Sequence, residues 1–445
     1  MNPLTVYIGN ALDILQGLPA ESVHCVVTSP PYYGLRDYNT PEVAFPAGSF
    51  VPMAGMPAME FPAWTGHLGL EPDPQMFVGH MVQIFKEVRR VLRSDGSLWM
   101  NFGDSYASSG GAHGGRDDNQ RGVGSKRVHD AGAGDKDNRR PPDGLKPKDL
   151  TGMPWRVAFA LQASGWYLRS DIIWHKRNPM PESVTDRPTK AHEYVFLLTK
   201  STRYYYDAVA IKEPVSGTAH PRGTGVNPKA KTPGKNSRIH VAHCGAAPQA
   251  RQNASFSAAV AGLVETRNKR TVWSVATAPY KEAHFATYPP DLIRPCILAG
   301  TSEKGCCAMC GTPWQRKTEK RPTGKTQKMP DGMATHDGGH GSIHKDGREK
   351  GQTGNPVMAS VTLGWEPLCK CYFPWVPRDL YPTVPAVVLD PFGGSGTTGQ
   401  VALEHGRRAV LIELGQHHAD LIQRRCAPAL TPAISHIDPQ PLLFP

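Results

Sequence analysis

AVVLDPFGGSGTTGQVALEHGRRAVLIE, residues 386–413, is the stretch that decides the fold of this 445-residue chain. Its apolar start predicts a buried strand that ends in Asp390, and a glycine-rich turn follows at 391–396. Residues 397–405 predict a helix, and 408–413 predict a second buried strand that ends in Glu413. Strand, glycine turn, helix and strand in this order are typical of a βαβ nucleoside-binding unit whose final acid binds a ribose diol.

The spacing of the glycines distinguishes between nucleoside cofactors. A dinucleotide site has a G-x-G-x-x-G turn that seats a pyrophosphate at the helix N-terminus, whereas Asp390 precedes a GGSG turn here. A carboxylate at that position repels pyrophosphate and suits an ammonium or sulfonium group. The pattern therefore favours S-adenosylmethionine over NAD, and it excludes a phosphate-binding G-x-x-x-x-G-K-S/T loop.

A second apolar run, residues 23–27, ends at a rigid polar rim formed by Ser29, Pro30, Pro31 and Tyr32. Two prolines fix the backbone, so the Ser29 hydroxyl and the Pro30 carbonyl become acceptors at a defined spacing beside the Tyr32 ring. Accepting both protons of an exocyclic base amine localises the nitrogen lone pair, and a duplex base must be flipped out to reach such a rim. A strand-ending turn with a core tyrosine explains the same residues, so the motif alone leaves both interpretations open.

Helical and strand patterns alternate along the rest of the chain, which indicates an α/β fold with a mostly parallel sheet. Strands 168–175 and 193–198 are predicted to form an antiparallel hairpin at the sheet edge. Residues 39–66 are predicted to form a surface loop. The other predicted elements are a strand at 6–10, a helix at 11–15, a helix at 73–93 ending at Asp95-Gly96, a strand at 97–102, and helices at 154–161 and 291–298.

The net charge of +11 points to a polyanionic partner, and on charge alone nucleic acid, ribosomal and membrane-surface partners all remain possible. No eighteen-residue apolar run occurs, and the N-terminus lacks the order of a signal peptide, so we expect a cytoplasmic protein without a membrane partner.

Two segments lack hydrophobic periodicity. Residues 108–148 are rich in Gly, Asp, Lys and Arg and are predicted to be a mobile loop. Residues 214–270 are strongly basic, with Glu265 as the single acid. This segment is either a solvated insertion or one that folds on nucleic acid and contributes to target choice, and both can hold together.

The paired motifs TSPPYYGLRDY at 28–38 and VLDPFGGSGTTG at 388–399 resemble the DNA amino-methyltransferases in the permuted beta class, which places the catalytic tetrapeptide before the cofactor loop. GSLWMNFGDSY, DIIWHKRNPMPESVTDRPTKAHEYVFLLTKS and HFATYPPDLIRPCILAG extend the resemblance. It implies a Rossmann-like sheet of seven strands, mostly parallel, with an antiparallel edge pair and inserted loops. It also implies a site-specific enzyme that methylates the exocyclic amino group of a flipped base in double-stranded DNA.

The resemblance assigns roles to individual residues. Ser29, Pro30, Pro31 and Tyr32 would form the catalytic rim. The residues that would hold S-adenosylmethionine are Asp390, Phe392, Gly393, Gly394 and Gly396 at the methionine part, Glu413 at the ribose, and Thr287 and Tyr288 from a covering segment 285–289. Asp37 and Asn178 would approach the base, although turn hydrogen bonds account for them equally well.

The first residue of the rim bears on which base is methylated. Ser-Pro-Pro-Tyr is more usual in the family for cytosine and Asp-Pro-Pro-Tyr for adenine, so cytosine N4 is slightly favoured over adenine N6. Direct transfer to an amino nitrogen requires no cysteine nucleophile, which argues against methylation of a ring carbon, for which a catalytic Pro-Cys pair would be expected. The alternatives are an RNA or protein amino-methyltransferase and a DNA-binding module without catalysis. The resemblance also implies a restriction-modification role, with a cognate restriction endonuclease as a possible partner and a monomeric or homodimeric state.

Five of the nine cysteines fall into two groups around a hydrophilic segment, 316–360. Cys307-x-x-Cys310 and Cys369-x-Cys371 have the short paired spacings of a four-cysteine structural zinc site. The alternative is a set of reduced thiols on a loop, and Cys306 competes with Cys307 as a ligand, although the C-x-x-C spacing favours Cys307.

The predicted organisation follows from these segments. Residues 1–213 form the catalytic half, 214–270 the basic insertion for target recognition, 271–305 with 372–430 the cofactor-binding half, and 306–371 the insertion with the zinc site.

Overall fold

The computed structural model describes residues 2–35, 40–107, 144–215, 263–278, 280, 287–327, 355–371, 377 and 380–430. Most of the predicted mobile loop, most of the basic insertion, Asp37 and Phe285 lie outside these residues. The described chain divides into two compact units, one made of 1–211, 270–315 and 365–445 and the other of 212–269 and 316–364. None of the described helices is both long and apolar enough to cross a membrane.

The described residues form nineteen strands and six helices. The strands are β1 Leu4–Ile8, β2 Val23–Thr28, β3 Val43–Phe45, β4 Gly48–Phe50, β5 Met59–Phe61, β6 Trp64–Gly66, β7 Leu92–Phe102, β8 Tyr167–Lys176, β9 His192–Thr199, β10 Glu213–Pro214, β11 Leu263–Val264, β12 Thr266–Arg267, β13 Val272–Val275, β14 Cys306–Cys307, β15 Trp314–Gln327, β16 Asn355–Pro367, β17 Thr383–Val384, β18 Val387–Asp390 and β19 Arg408–Glu413. The helices are α1 Ala11–Gly17, α2 Pro74–Val91, α3 Met153–Ala163, α4 Pro290–Gly300, α5 Thr397–Glu404 and α6 Gln416–Leu430.

The first unit is built on an eight-stranded sheet in the order β1-β19-β18-β2-β7-β9-β8-β13. β9 pairs antiparallel with both of its neighbours, while the other pairings in the sheet are parallel. The Rossmann-like α/β prediction is therefore confirmed, with one more strand than expected. β13 pairs with β8, so the β8–β9 hairpin is antiparallel as predicted but does not form the sheet edge.

The two motifs of the sequence come together in the middle of this sheet. β18, which leads to the glycine turn, pairs with β2, which leads to Ser29, through Val388 opposite Cys25 and Leu389 opposite Val26. From this pair the chain continues to β19 on one side and to β7 on the other. Such a reversal of strand order is the switch point at which α/β sheets bind ligands beyond the carboxyl ends of their strands.

Successive side chains of the central strands pack alternately into two hydrophobic cores. Val26 and Leu389 belong to the core that includes residues of α1, α2 and α3, while Val27 and Val388 belong to the core that includes residues of α4, α5 and α6. A sheet with helices on both faces explains why these strands read as continuous apolar runs.

The prediction of a surface loop at 39–66 is wrong. The segment forms two antiparallel pairs, β3 with β6 and β4 with β5. Phe45, Phe50 and Phe61 are buried, and the Phe45 ring stacks on His80 of α2 with 4.2 Å between ring centroids. Helix α2 also ends at Val91, four residues before the predicted stop at Asp95, because β7 already begins at Leu92.

The second unit contains two small sheets. β10 pairs with β12, and β11, β16 and β15 form a three-stranded sheet. Within this unit the Lys212 ammonium donates to the Ser360 hydroxyl at 2.6 Å, and Arg267 pairs with Glu213 at 2.8 Å. The hydrophilic segment around 316–360 therefore contains long strands rather than loop alone.

Candidate active site

The rim that follows β2 is held rigidly by packing. The Tyr33 ring is buried and lies 5.5 Å from that of Phe77, while the Tyr32 ring packs edge-on against Phe102 at 5.2 Å. A Cβ atom at Gly103 would come within 2.5 Å of the Tyr32 ring, so this position needs glycine. These contacts fix the direction of the Tyr32 ring before any ligand arrives.

The hydroxyl of Tyr32 lies in a hydrogen-bond network with Asn101 and Glu193. It donates to Glu193 Oε2 at 2.7 Å and accepts from Asn101 Nδ2 at 2.8 Å. The same Asn101 amide also donates to Glu193 Oε2 at 3.0 Å. Neighbouring strands supply the two partners, since Asn101 is near the end of β7 and Glu193 is near the start of the antiparallel β9.

Lys176 at the end of β8 keeps Glu193 ionised. Burial alone would raise the pKa of Glu193, but the Lys176 ammonium at 2.5 Å and the hydrogen bonds from Tyr32 and Asn101 lower it below its usual value. A charge-assisted acceptor of this kind holds the Tyr32 proton firmly.

Ser29 completes this network at its exposed end. Its hydroxyl donates weakly to Tyr32 Oη at 3.4 Å, and Asn101 Nδ2 lies 3.4 Å from Ser29 Oγ. The Ser29 hydroxyl thus donates to Tyr32, and the Tyr32 hydroxyl donates to Glu193. A lone pair of Ser29 Oγ remains as an acceptor.

Asp390 connects the rim to the glycine turn. Its Oδ1 accepts from the Thr28 hydroxyl at 2.6 Å and from the Phe392 amide at 3.1 Å. Its Oδ2 accepts from Thr398 at 2.8 Å and from Tyr288 at 3.0 Å. Burial raises the pKa of Asp390 to about 6, and the hydrogen bonds from Thr28, Thr398, Phe392 and Tyr288 oppose that rise.

Tyr288, which lies two residues before α4 in the predicted covering segment, contacts this carboxylate through its hydroxyl. Tyr288 also hydrogen-bonds Thr398, and burial raises its pKa well above the usual value. The buried Oγ1 of the neighbouring Thr287 has no hydrogen-bond partner within the described part of the chain. A buried hydroxyl without a partner is costly, and its site is suited to a polar ligand group.

The glycine turn is folded against β19 and α6. Gly396 has φ +82°, and a Cβ atom there would lie 3.0 Å from Ile422 Cα. Gly394 has φ +52°, and its amide donates to Glu413 Oε2 at 2.8 Å. Glu413 Oε1 accepts from the Gly415 amide at 3.1 Å, so the acid at the end of β19 organises the turn it was predicted to accompany. Gly393 is bonded to the Ile412 carbonyl, and Phe392 packs partly on the core.

Asn101, Glu193 and Lys176 were missed by the sequence reasoning. The predicted hairpin could have indicated Glu193 and Lys176, because an antiparallel β9 brings its first residues to the same end of the sheet as the last residues of β2 and β8.

Asn178 accepts from the Thr277 amide at 2.8 Å, which accounts for it as a turn residue. Asp104 receives bonds from Thr151, Gly152 and Met153 and thereby anchors the N-terminus of α3.

Comparison with known proteins shows the family of the chain. The model of the DNA methylase family of N6 and N4 methyltransferases matches residues 23–308 and 383–424, a match that includes both motifs. The chain belongs to the DNA methylase family. It is a DNA methyltransferase of the class that modifies amino nitrogens, N4 or N6.

Relatives of known type support the same assignment for this DNA methyltransferase. Type II methyltransferase M.Cfr9I of Citrobacter freundii is 41% identical over 301 residues, 68% of this chain and 74% of that protein. Type II methyltransferase M.SmaI of Serratia marcescens is 33% identical over 422 residues, 94% of this chain and 89% of that protein. The solved structure of PvuII DNA methyltransferase (cytosine-N4-specific) aligns over 97% of this chain and 93% of its own, with 14% identity and a TM-score of 0.43, too low to add weight.

Proposed function

We propose that this enzyme transfers a methyl group from S-adenosylmethionine to the exocyclic amino nitrogen of a base flipped out of double-stranded DNA. One observation carries the proposal: the Thr28 hydroxyl, next to Ser29, donates to Asp390 at 2.6 Å. A rim that accepts an amine and a turn that binds a nucleoside thus end side by side, although 361 residues separate Ser29 from Asp390 in the sequence.

The residues around Asp390 fit S-adenosylmethionine. The unpartnered Thr287 hydroxyl offers a hydrogen bond to a polar group of a ligand. The negative charge of Asp390 favours a nearby cation, and the residues that would hold the cofactor are those of the glycine turn, Glu413, Thr287 and Tyr288. When bound, the cofactor would supply a methyl group on a positively charged sulfur. Asp390 itself acts through its neighbours, because each of its oxygens already accepts two hydrogen bonds.

The rim would position the amine. Ser29 Oγ and the Pro30 carbonyl accept its two protons, and the Tyr32 ring stacks on the base. Because the Ser29 proton is directed toward Tyr32 and the Tyr32 proton toward Glu193, the serine oxygen presents a lone pair to the amine. Much of the rate enhancement in such a reaction comes from holding nucleophile and electrophile in line. Bond formation between nitrogen and the methyl carbon accompanies cleavage of the sulfur–carbon bond, and one amine proton is then lost to solvent.

The serine at position 29 favours cytosine N4 over adenine N6 as the target nitrogen. The basic insertion 214–270 would contribute to target choice, because its cations can neutralise DNA phosphates. Relatives that bear the name Type II methyltransferase support a restriction-modification role. In that role a cognate endonuclease would read the same site, and the methyltransferase would act as a monomer or homodimer.

A substrate panel tests the proposed reaction. Purified enzyme is incubated with methyl-labelled S-adenosylmethionine and duplex DNA, RNA of the same sequence, or mixed protein. We expect label in DNA alone, recovered after digestion as 4-methylcytosine. Label in RNA or protein would support the alternative amino-methyltransferase, 6-methyladenine would overturn the base assignment, and no label in any substrate would favour a DNA-binding module without catalysis.

Variants at the rim test the site assignment. Ser29→Ala removes the proposed acceptor, and Tyr32→Ala removes the stacking ring, so both should abolish most DNA methylation. Ser22→Ala is the matched control, since the Ser22 hydroxyl donates to the nearby Pro19 carbonyl at 2.7 Å before β2 begins. Full activity in either rim variant would refute the assignment.

A further inference from the structure

Four cysteine thiols that lie far apart in the sequence converge in the first unit. The Sγ atoms of Cys307, Cys310, Cys369 and Cys371 all lie within 4.8 Å of one another. Within the described residues no other group of three or more His, Cys, Asp or Glu side chains is gathered in this way. None of the four is in a disulfide.

The first pair is presented by a tight turn. Cys307 ends β14, its amide donates to the Thr312 carbonyl at 2.9 Å, and its carbonyl accepts from the Gly311 amide at 2.8 Å. Gly311 has φ +72°, a conformation that favours glycine, so the C-x-x-C-G sequence closes the turn and brings both thiols to one side. Cys306 is fully buried and stands outside the cluster, which favours Cys307 as the spacing predicted.

The second pair completes a group of four sulfurs. Cys369 and Cys371 follow the end of β16 and are separated by one residue, Lys370. Zinc–thiolate bonds are about 2.3 Å long, which places the sulfurs of a tetrahedral site about 3.8 Å apart. Sulfurs within 4.8 Å of one another need only a small contraction to reach that spacing. Four soft thiolates without an oxygen or imidazole ligand suit zinc or iron and do not suit calcium or magnesium.

An ion pair holds the backbone of the first cysteine pair. The Arg93 guanidinium donates to the Cys310 carbonyl at 2.9 Å, and Asp95 binds the same guanidinium through bonds of 2.9 Å and 3.0 Å. The pair fixes the turn that carries Cys310, and outer contacts of this kind orient the ligands of a metal site.

We propose that Cys307, Cys310, Cys369 and Cys371 bind one structural zinc ion. Four protein ligands leave no open position for a substrate, so the ion would cross-link the chain rather than take part in catalysis. The ion would join the two ends of the long segment between Cys310 and Cys369, and such a cross-link reduces the conformational freedom of the unfolded chain.

The zinc turn is connected to both central strands of the sheet. His24, the second residue of β2, bonds the Gly311 carbonyl through Nε2 at 2.9 Å and accepts from the Val387 amide through Nδ1 at 3.0 Å. β14 also pairs with β17, placing Cys307 opposite Thr383. These contacts involve the amino ends of β2 and β18, so the cluster lies at the opposite end of these strands from Asp390 and away from the glycine turn.

Metal analysis of the intact enzyme tests the proposal. Protein purified under reducing conditions, without chelator, is analysed for zinc and iron. We expect about one zinc per chain and no iron, with release of the zinc when a mercurial reagent titrates the thiols. Iron in place of zinc, or a chain that lacks zinc and does not take it up from added zinc chloride, would overturn it.

Single substitutions locate the ligands. Cys310→Ser and Cys369→Ser should each lose most of the zinc, whereas Cys306→Ala, which removes the adjacent thiol outside the cluster, should keep it. Cobalt loading of the wild-type enzyme gives a second readout that does not depend on any variant folding, because tetrahedral thiolate cobalt has characteristic visible absorption. Full zinc retention in both serine variants, or cobalt spectra of an octahedral oxygen site, would contradict the assignment.

Discussion

Glu193 is a partly buried carboxylate whose effect on the reaction would pass through Tyr32. Its Oε2 accepts from the Tyr32 hydroxyl at 2.7 Å. The Lys176 ammonium supplies the charge that lowers its pKa. Glu193 is therefore a positioning residue: it holds the Tyr32 proton and, through it, the direction of the Ser29 hydroxyl.

Glu193→Gln should lower kcat for DNA methylation by about 10- to 100-fold, because loss of the charge loosens the Tyr32 hydroxyl. The KM for S-adenosylmethionine should stay near its wild-type value. In a Tyr32→Phe background, which already lacks that hydroxyl, the same substitution should cost much less, since contacting residues are coupled. Steady-state kinetics of the four proteins measure the coupling, and additive losses would mean that Glu193 acts by another route.

Asp390 should make the free energy of unfolding depend on pH. Burial raises its folded-state pKa to about 6, above the ordinary 3.8 expected in the unfolded chain. Because the folded state binds the proton more tightly, the stabilising contribution of this acid is fully present below pH 3.8 and is lost as the pH rises through 6. We expect the free energy of unfolding of wild type, relative to Asp390→Asn, to fall by roughly 3 kcal/mol over that window. Denaturant titrations at several pH values measure it, and a constant difference would contradict the shifted pKa.

Residue identities were predictable where the signal is local. Ser29 and Tyr32 follow a strand directly, and Asp390 with its glycines is one continuous motif. Glu193 and Lys176 depend on pairing between β8 and β9, and Asn101 reads as an ordinary strand residue. Only the register of the folded sheet shows that Asn101 and Glu193 bond the Tyr32 hydroxyl and that Lys176 pairs with Glu193.

At the scale of elements, the turn between β18 and α5 depends on close packing. Gly396 and Gly406 both have positive φ, +82° and +71°, but an added Cβ atom meets the Ile422 backbone only at Gly396 and open space at Gly406. Comparing an alanine substitution at each of the two positions therefore distinguishes the cost of backbone strain from the cost of steric contact.

Gly396→Ala should destabilise the enzyme by more than the roughly 1–2 kcal/mol expected for backbone strain alone. It should also weaken binding of S-adenosylmethionine, because the turn must shift away from α6. Gly406→Ala, the matched control, should show the strain and leave binding unchanged. Thermal unfolding and calorimetric titration make the comparison, and equal effects of the two substitutions would rule out the packing contribution.

Elements with long, strongly patterned sequences were predicted well, and short ones were not. β19 matches its predicted range, and α5 ends one residue early. The strands of 43–66 are three residues long, and each contains too few positions to show alternation, although their phenylalanines are buried. β13 was missed for the same reason, since it contributes four residues to the sheet edge.

At the scale of the whole molecule, positive charge is unevenly distributed along the chain. The net charge is +11, and the insertion 214–270, with nine Lys and Arg residues and one acid, contributes +8 of it. If this insertion follows the DNA backbone, its lysines release counterions on binding.

Replacing Lys229, Lys231 and Lys235 with alanine should weaken binding to any DNA sequence and reduce the slope of log K against log salt by up to about 3. Lys86→Ala, on the exposed face of α2, is the control and should change the slope little. Fluorescence anisotropy at several salt concentrations gives both slopes. An unchanged slope in the triple variant would show that the insertion does not contact phosphates.

The pairing of β2 with β18 is the feature on which the whole account depends, because it brings the Ser29 rim to the Asp390 turn. Nucleoside analysis of genomic DNA from a methylation-free host that expresses either the wild-type enzyme or Ser29→Ala tests this most directly. We expect 4-methylcytosine with the wild type and its loss with the variant at equal expression. Undiminished DNA methylation with Ser29→Ala, or a methyl group on a ring carbon, would contradict it.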